Sequence, residues 1–148
     1  MITAGIPTLE ITKTESIAAT IDIVFESILE QMGPYCEAPD GSPLPMKLEA
    51  WPGGRWYRDL GENSGHLWAH VQSIRAPNLL ELQGPLFMSA PALNHVLYRL
   101  TEEAGMTVVR FTHRAVGLVP PGLLDGVNTT TGWTRMLSRV RAAAENRK

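Results

Sequence analysis

A chain of 148 residues with a net charge of −2, 44% hydrophobic and 19% charged residues has the size and balance of one soluble globular domain. That charge gives no electrostatic case for nucleic acid, no apolar run reaches the length that spans a bilayer, and the single cysteine, Cys36, excludes an internal disulfide. The opening MITAGIPTLEITKTE lacks a basic start followed by an apolar run, so a cytoplasmic protein without membrane insertion is expected, folded as a single domain over 1–148.

The elements follow in chain order. Thr8 to Ile17 alternates as a first strand, with Leu9 and Ile11 on one face. Thr20 or Asp22 caps a helix that runs to about Met32, where Gly33-Pro34 stops it. Ile21, Phe25, Ile28 and Leu29 give that helix an apolar stripe. The stretch 33–45 holds four prolines and reads as an irregular loop. From Met46 the pattern is a meander, with strands expected at Lys47–Trp51, Arg55–Leu60, His66–Arg75, Leu79–Gln83, Asn94–Glu102 and Met106–Gly117. Gly53-Gly54 is expected to supply the positive φ angles of a tight turn, not a phosphate cradle, because no Lys and Ser/Thr follow it and no helix opens there.

The last hairpin has the clearest alternation. Val96, Tyr98 and Leu100 share a face with Val109, Phe111 and His113, while His95, Arg99, Arg110 and Arg114 take the other. After Pro120-Pro121 the period becomes 3.6, and Val127, Trp133, Met136, Leu137, Val140 and Ala144 form one stripe. That predicts a helix of about 25 residues, roughly 37 Å long. The basic residues near its end read as a solvated face beside the helix C-terminus. The fold class is therefore α+β: a curved antiparallel β-sheet wrapped around a long C-terminal α-helix, with an internal cavity between them.

The tracts PGGRW, GHLWAHVQSIRAPNLLEL, TVVRFTHRAVG and GWTRMLSRV, in that order, resemble the START-like SRPBCC superfamily. Within it the chain is most similar to the bacterial domains homologous to the activator of heat-shock-protein-90 ATPase. The resemblance implies the helix-grip fold and an apolar cavity. Its members include carriers of hydrophobic ligands and polyketide cyclases. The chain carries one such domain, without the client-binding domain of eukaryotic activators, which weakens a chaperone-activator reading. Where many relatives have a glycine, this sequence has His70.

The candidate ligand-binding residues are Trp56, Arg58, Trp68, His70, Val96, Tyr98, Phe111, His113, Trp133, Met136 and Leu137. No cofactor and no metal are expected: His66 and His70 on a regular strand stand roughly 13 Å apart, too far to chelate one ion. His70 and His113 both admit two readings, a buried neutral imidazole bonded to a neighbour or a proton-transfer group. An enzyme of the cyclase or hydrolase kind would use His113, His70 or Tyr98, with Glu49 or Asp59 as partner. No GxSxG nucleophile motif is present. By alternation Trp56, Arg58 and Leu60 face inward and Arg55, Tyr57 and Asp59 outward. An inward Arg58 needs an acid or an anionic ligand group, whereas a splayed strand end takes it to water. Segment 84–94, with Leu86, Phe87, Met88 and Leu93, is either a packed connection, a lid or a dimer contact. The expected activity is binding of a small apolar or amphipathic molecule. The alternatives are the enzyme and a protein-interaction module, and a homodimer is compatible with all three.

Overall fold

A computed structural model describes residues 5–124 and 127–147. The elements are β1 (Thr8–Ile17), α1 (Ile21–Met32), β2 (Lys47–Leu48), β3 (Arg55–Gly61), β4 (Ser64–Arg75), β5 (Leu79–Gly84), β6 (Ala92–Glu103), β7 (Met106–Gly117), α2 (Pro121–Leu124) and α3 (Val127–Arg147). The strands form one seven-stranded sheet in the order β1-β7-β6-β5-β4-β3-β2, with every neighbouring pair antiparallel.

The β6–β7 hairpin is its spine, paired without a break from Ala92↔Gly117 to Glu103↔Met106. Ala104 and Gly105 close it with φ of 53° and 79°, the doubly positive pair that matches strand twist in a two-residue turn. The faces divide as alternation requires. Val96, Tyr98, Leu100, Val109, Phe111 and His113 are buried, and Arg99, Arg110 and Arg114 are exposed.

Both long helices cover this buried face. α1 contributes Val24, Phe25, Ile28 and Met32, and α3 contributes Trp133, Met136, Leu137, Val140 and Ala144. Val127, the first member of the predicted stripe, has a side chain outside the described residues. Of the predicted helix of about 25 residues, α2 spans Pro121–Leu124 and α3 Val127–Arg147, with 125–126 outside the described residues. Thr20 is the N-cap of α1, but its side chain makes no capping bond.

Several expectations are corrected. β2 spans two residues because the chain turns at once: Glu49 N–H bonds Arg55 O, and Trp51 N–H bonds Glu49 O. Of the glycine pair, Gly53 alone has the positive φ, 84°. Gly54 is required for space, since a Cβ there would lie 1.9 Å from Glu49 O.

The basic residues of α3 are solvated in part, but they are also bonded to other elements. Arg141 binds the Glu15 carboxylate and Ser16 O, Arg139 binds Gln31 Oε1 at 3.1 Å, and Arg147 reaches Glu26 and Glu30. Arg135 binds Pro39 O in the proline-rich loop. That loop is therefore tied to the helix.

The most consequential departure lies in β4. Trp56 pairs with Ala69, yet Tyr57 pairs with Leu67, so Trp68 is an extra residue. Such a bulge shifts the parity of everything beyond it. Ala69 and Val71 turn inward, and His70, predicted to face the cavity, is exposed on the outer face against Gly53 O at 3.3 Å. A second shift follows, with Gln72 unpaired between Val71↔Leu82 and Ser73↔Glu81. In β3 a further irregularity between Asp59 and Gly61 leaves Leu60 63% exposed, against the inward placement expected.

Candidate functional site

Eight of the predicted residues meet inside the sheet–helix sandwich: Trp56, Val96, Tyr98, Phe111, His113, Trp133, Met136 and Leu137 are all buried. They come together because β6 and β7 present every second side chain to the concave face while α3 presents one stripe along its length.

Through this interior runs one line of polar bonds. The Trp133 indole, which has only a donor, gives its Nε1–H to His113 Nδ1 at 3.0 Å. The imidazole proton is thereby assigned to Nε2, which donates to Asn94 Oδ1 at 2.8 Å. Asn94 Nδ2 in turn donates to Pro85 O at 3.2 Å and lies 3.5 Å from Met88 Sδ. His113 is fully buried, and burial alone lowers its pKa from 6.5 to about 4. It is a neutral group with both nitrogens committed.

Tyr98 donates its hydroxyl proton to Met136 Sδ at 3.2 Å, and burial pushes its phenol above the usual range. Glu49 and Asp59, considered as partners for an acid–base pair, lie on the outer face. There they bind Arg55 and Lys47 at 2.8 Å each. Among the described residues, no carboxylate is hydrogen-bonded to His113 or Tyr98. Among the described residues, no three of His, Cys, Asp and Glu converge as a metal site would need.

Aromatic rings connect the interior to its rim. Tyr98 meets Phe111 at 5.1 Å between centroids, Phe111 meets Trp133 at 4.6 Å, and Trp133 meets His113 at 5.6 Å. His113 then meets Phe87 at 6.5 Å, Phe87 meets Trp68 at 5.8 Å, and Trp68 meets Trp56 at 5.0 Å. Most of these pairs are edge-to-face, the favoured geometry of ring quadrupoles. Trp56 is anchored by donating to Met32 O at 2.7 Å. Trp68 is half-buried and Phe87 is 37% exposed, so the row, buried at Tyr98 and at Trp56, reaches the surface at Phe87.

The segment that carries Phe87 covers this end of the sandwich. Leu86 and Met88 point in and are buried, and Leu86 holds a left-handed φ of 53°, a conformation that costs a leucine strain. Its N–H bonds Trp68 O at 2.7 Å, so the bulge residue of β4 is also the tether of the cover. Arg58 lies on the face of Trp56 by alternation and is half-buried, at the rim.

Sequence reasoning passed over Asn94, weighed His66 only as a metal ligand, and did not foresee the contacts of Leu86 and Phe87. Asn94 carried a usable signal, because it alternates with Val96 and Tyr98 and so had to be a buried amide. The others depend on register, which the sequence does not display. Two open depressions lie elsewhere. One of about 520 Å³ sits beside the β6–β7 turn against Ala18–Thr20, and one of about 400 Å³ sits on the outer face around Leu93, Arg114 and Val116.

Among the described residues no helix is long and apolar enough to cross a membrane. No protein-family model matches the sequence, and no curated protein is significantly similar to it. Solved structures are. CalU16 from Micromonospora echinospora is 19% identical with a TM-score of 0.62, over 91% of this chain and 75% of that one. Protein CV1439 from Chromobacterium violaceum is 13% identical with a TM-score of 0.68, over 92% and 96%. The Aha1 dimer from Colwellia psychrerythraea is 16% identical with a TM-score of 0.62, over 93% and 96%. Identities this low speak to the fold alone. With its curved antiparallel sheet closed on a C-terminal helix, the chain has the helix-grip fold of START-like SRPBCC proteins.

Proposed function

We propose that the chain binds a small hydrophobic or amphipathic molecule between the concave face of the sheet and α3, admitted beneath segment 85–91. The observation that carries this reading is the aromatic row from Tyr98 to Trp68. It includes the neutral His113 and reaches the surface at the half-exposed Phe87. Ligand sites in folded domains have this composition, mostly apolar walls with a few placed polar groups. The interior end is closed by regular elements, whereas the Phe87 end is closed by an irregular segment whose displacement disrupts no strand pairing.

The test is native mass spectrometry on protein purified without denaturant, together with thermal-shift measurements against fatty acids, aromatic polyketides and N-phenyl-1-naphthylamine. A retained small molecule, or a raised Tm that Phe87→Ala alters, is the expected result. Bare protein in the native spectra and no shift across the panel defeats the reading.

Self-association is proposed on a separate observation. Ile6, Leu93, Val116 and Leu118 are 70%, 51%, 40% and 65% exposed, and they gather at one end of the outer face, where Val116 pairs with both Thr8 and Leu93. Exposed apolar patches of this kind mark interaction surfaces, and one similar solved structure is described as a dimer. Sedimentation should give a dimer that Val116→Lys dissociates; a wild-type monomer at high micromolar concentration refutes it.

A further inference from the structure

The rim of the sandwich carries a polar pair that the aromatic row does not explain. Arg58 of β3 and His66 of β4 are direct cross-strand partners, so both side chains leave the same face of the sheet. That face is the concave one. His66 shares it with Trp68, two residues on, whose ring packs against the buried Trp56 and against Phe87.

The bonds at this rim are specific. Trp68 Nε1–H donates to His66 Nδ1 at 3.2 Å, which assigns the imidazole proton to Nε2 as a second donor. The neighbouring cations of the outer face are already neutralised, Arg55 by Glu49 and Lys47 by Asp59. Arg58 is half-buried and has no hydrogen-bond or ion-pair partner among the described residues. A guanidinium held partly out of water with no counter-charge is unfavourable by itself and becomes favourable when an anion arrives.

We infer that Arg58 and His66 form the receptor for the carboxylate of an amphipathic ligand, whose apolar body runs inward along Trp68 and Phe87. The inference rests on the binding reading above and adds the ligand's charge class. One permanent positive charge beside a neutral N–H donor matches a monoanion. A phosphate dianion calls for a second cation, and a cationic head group is repelled. The planar fork of the guanidinium suits the two oxygens of a carboxylate.

The experiment uses N-phenyl-1-naphthylamine, a neutral dye that brightens in apolar sites, with decanoate and decanol as competitors. Wild type, Arg58→Gln and Arg58→Lys are compared, with circular dichroism to check the fold. The expected result is displacement by decanoate at roughly a tenfold lower concentration than by decanol, the scale of one charge-assisted hydrogen-bonded contact. Arg58→Gln should erase that preference, and Arg58→Lys should keep part of it. His66→Phe should reduce it by about threefold, as loss of one neutral donor does. If the dye binds but the two competitors act equally, or if Arg58→Gln leaves the preference intact, the anion receptor is refuted and the binding reading stands. If neither the dye nor either competitor binds, both fall.

Discussion

His113 has an acceptor nitrogen filled by Trp133 and a donor nitrogen filled by Asn94, so adding a proton would break the first bond and bury a charge. An unfolded chain protonates this ring near pH 6.5, whereas the folded one resists until about 4. Between those values the unfolded state holds the extra proton, so stability rises with pH across that window. The share lost through this group from pH 7 to pH 5 is about 2 kcal/mol, and nothing more is lost once the folded form also titrates. Carboxylates held low by their partners, such as Glu81 beside His95, lose their contribution at lower pH and leave this window clear. Urea unfolding of wild type and His113→Gln at both pH values checks it. The variant should be less stable at pH 7 but should lose about 2 kcal/mol less on going to pH 5. Equal losses would mean that the imidazole is not held neutral. Trp133→Phe keeps the ring's volume class but removes its donor, and leaving His113 Nδ1 unpaired should cost about 1–3 kcal/mol at pH 7.

At the scale of elements, the bulge at Trp68 sets which β4 side chains point inward and supplies the carbonyl that tethers Leu86. Its geometry needs β5 to approach closely: a Cβ on Gly84 would lie 2.3 Å from Trp68 O and 2.6 Å from Ala69 Cα. Gly84→Ala must therefore push β4 and β5 apart, and overpacking of this kind costs about 1–3 kcal/mol. A lowered urea midpoint, with altered tryptophan fluorescence from the displaced Trp68, is expected. A variant as stable as wild type would show that the approach is not tight. The same bulge marks how far the sequence could be read. The β6–β7 hairpin and α3 keep one period without interruption, so Tyr98, Phe111, His113, Trp133 and Met136 were legible as interior residues. The stretch HLWAHV looks equally periodic, but the inserted residue is identified only by what β3 pairs with, and so His70 was misplaced. The Arg58–His66 pairing was hidden for the same reason, since register is a property of two strands together.

On the scale of the whole molecule, a ligand reaches the interior only if something moves, and the fastenings decide what. α3 is pinned along its length: by Arg135 to the proline-rich loop, Arg139 to α1, Arg141 to β1, and Glu145 to the Ala18 N–H at 2.9 Å. Each exposed ion pair among these contributes little alone, but the helix also buries Trp133, Met136, Leu137, Val140 and Ala144. Segment 85–91 is irregular: Leu86 N–H bonds Trp68 O, Met88 N–H bonds Pro85 O at 3.1 Å, Asn94 Nδ2 bonds Pro85 O at 3.2 Å, Leu118 N–H bonds Pro91 O at 3.1 Å, and strain at Leu86 opposes closure. Local opening follows the weakest unit, so the segment should move while the helix stays in place. Hydrogen–deuterium exchange measures this directly. Amides of Leu86 and Met88 should exchange at least about a hundredfold faster than those of 136–144, reflecting sub-global opening against near-global unfolding. Adding N-phenyl-1-naphthylamine should slow the segment and leave α3 unchanged. Faster exchange in α3 than in the segment would place the entrance on the helix side, and Phe87 would then be part of a fixed wall.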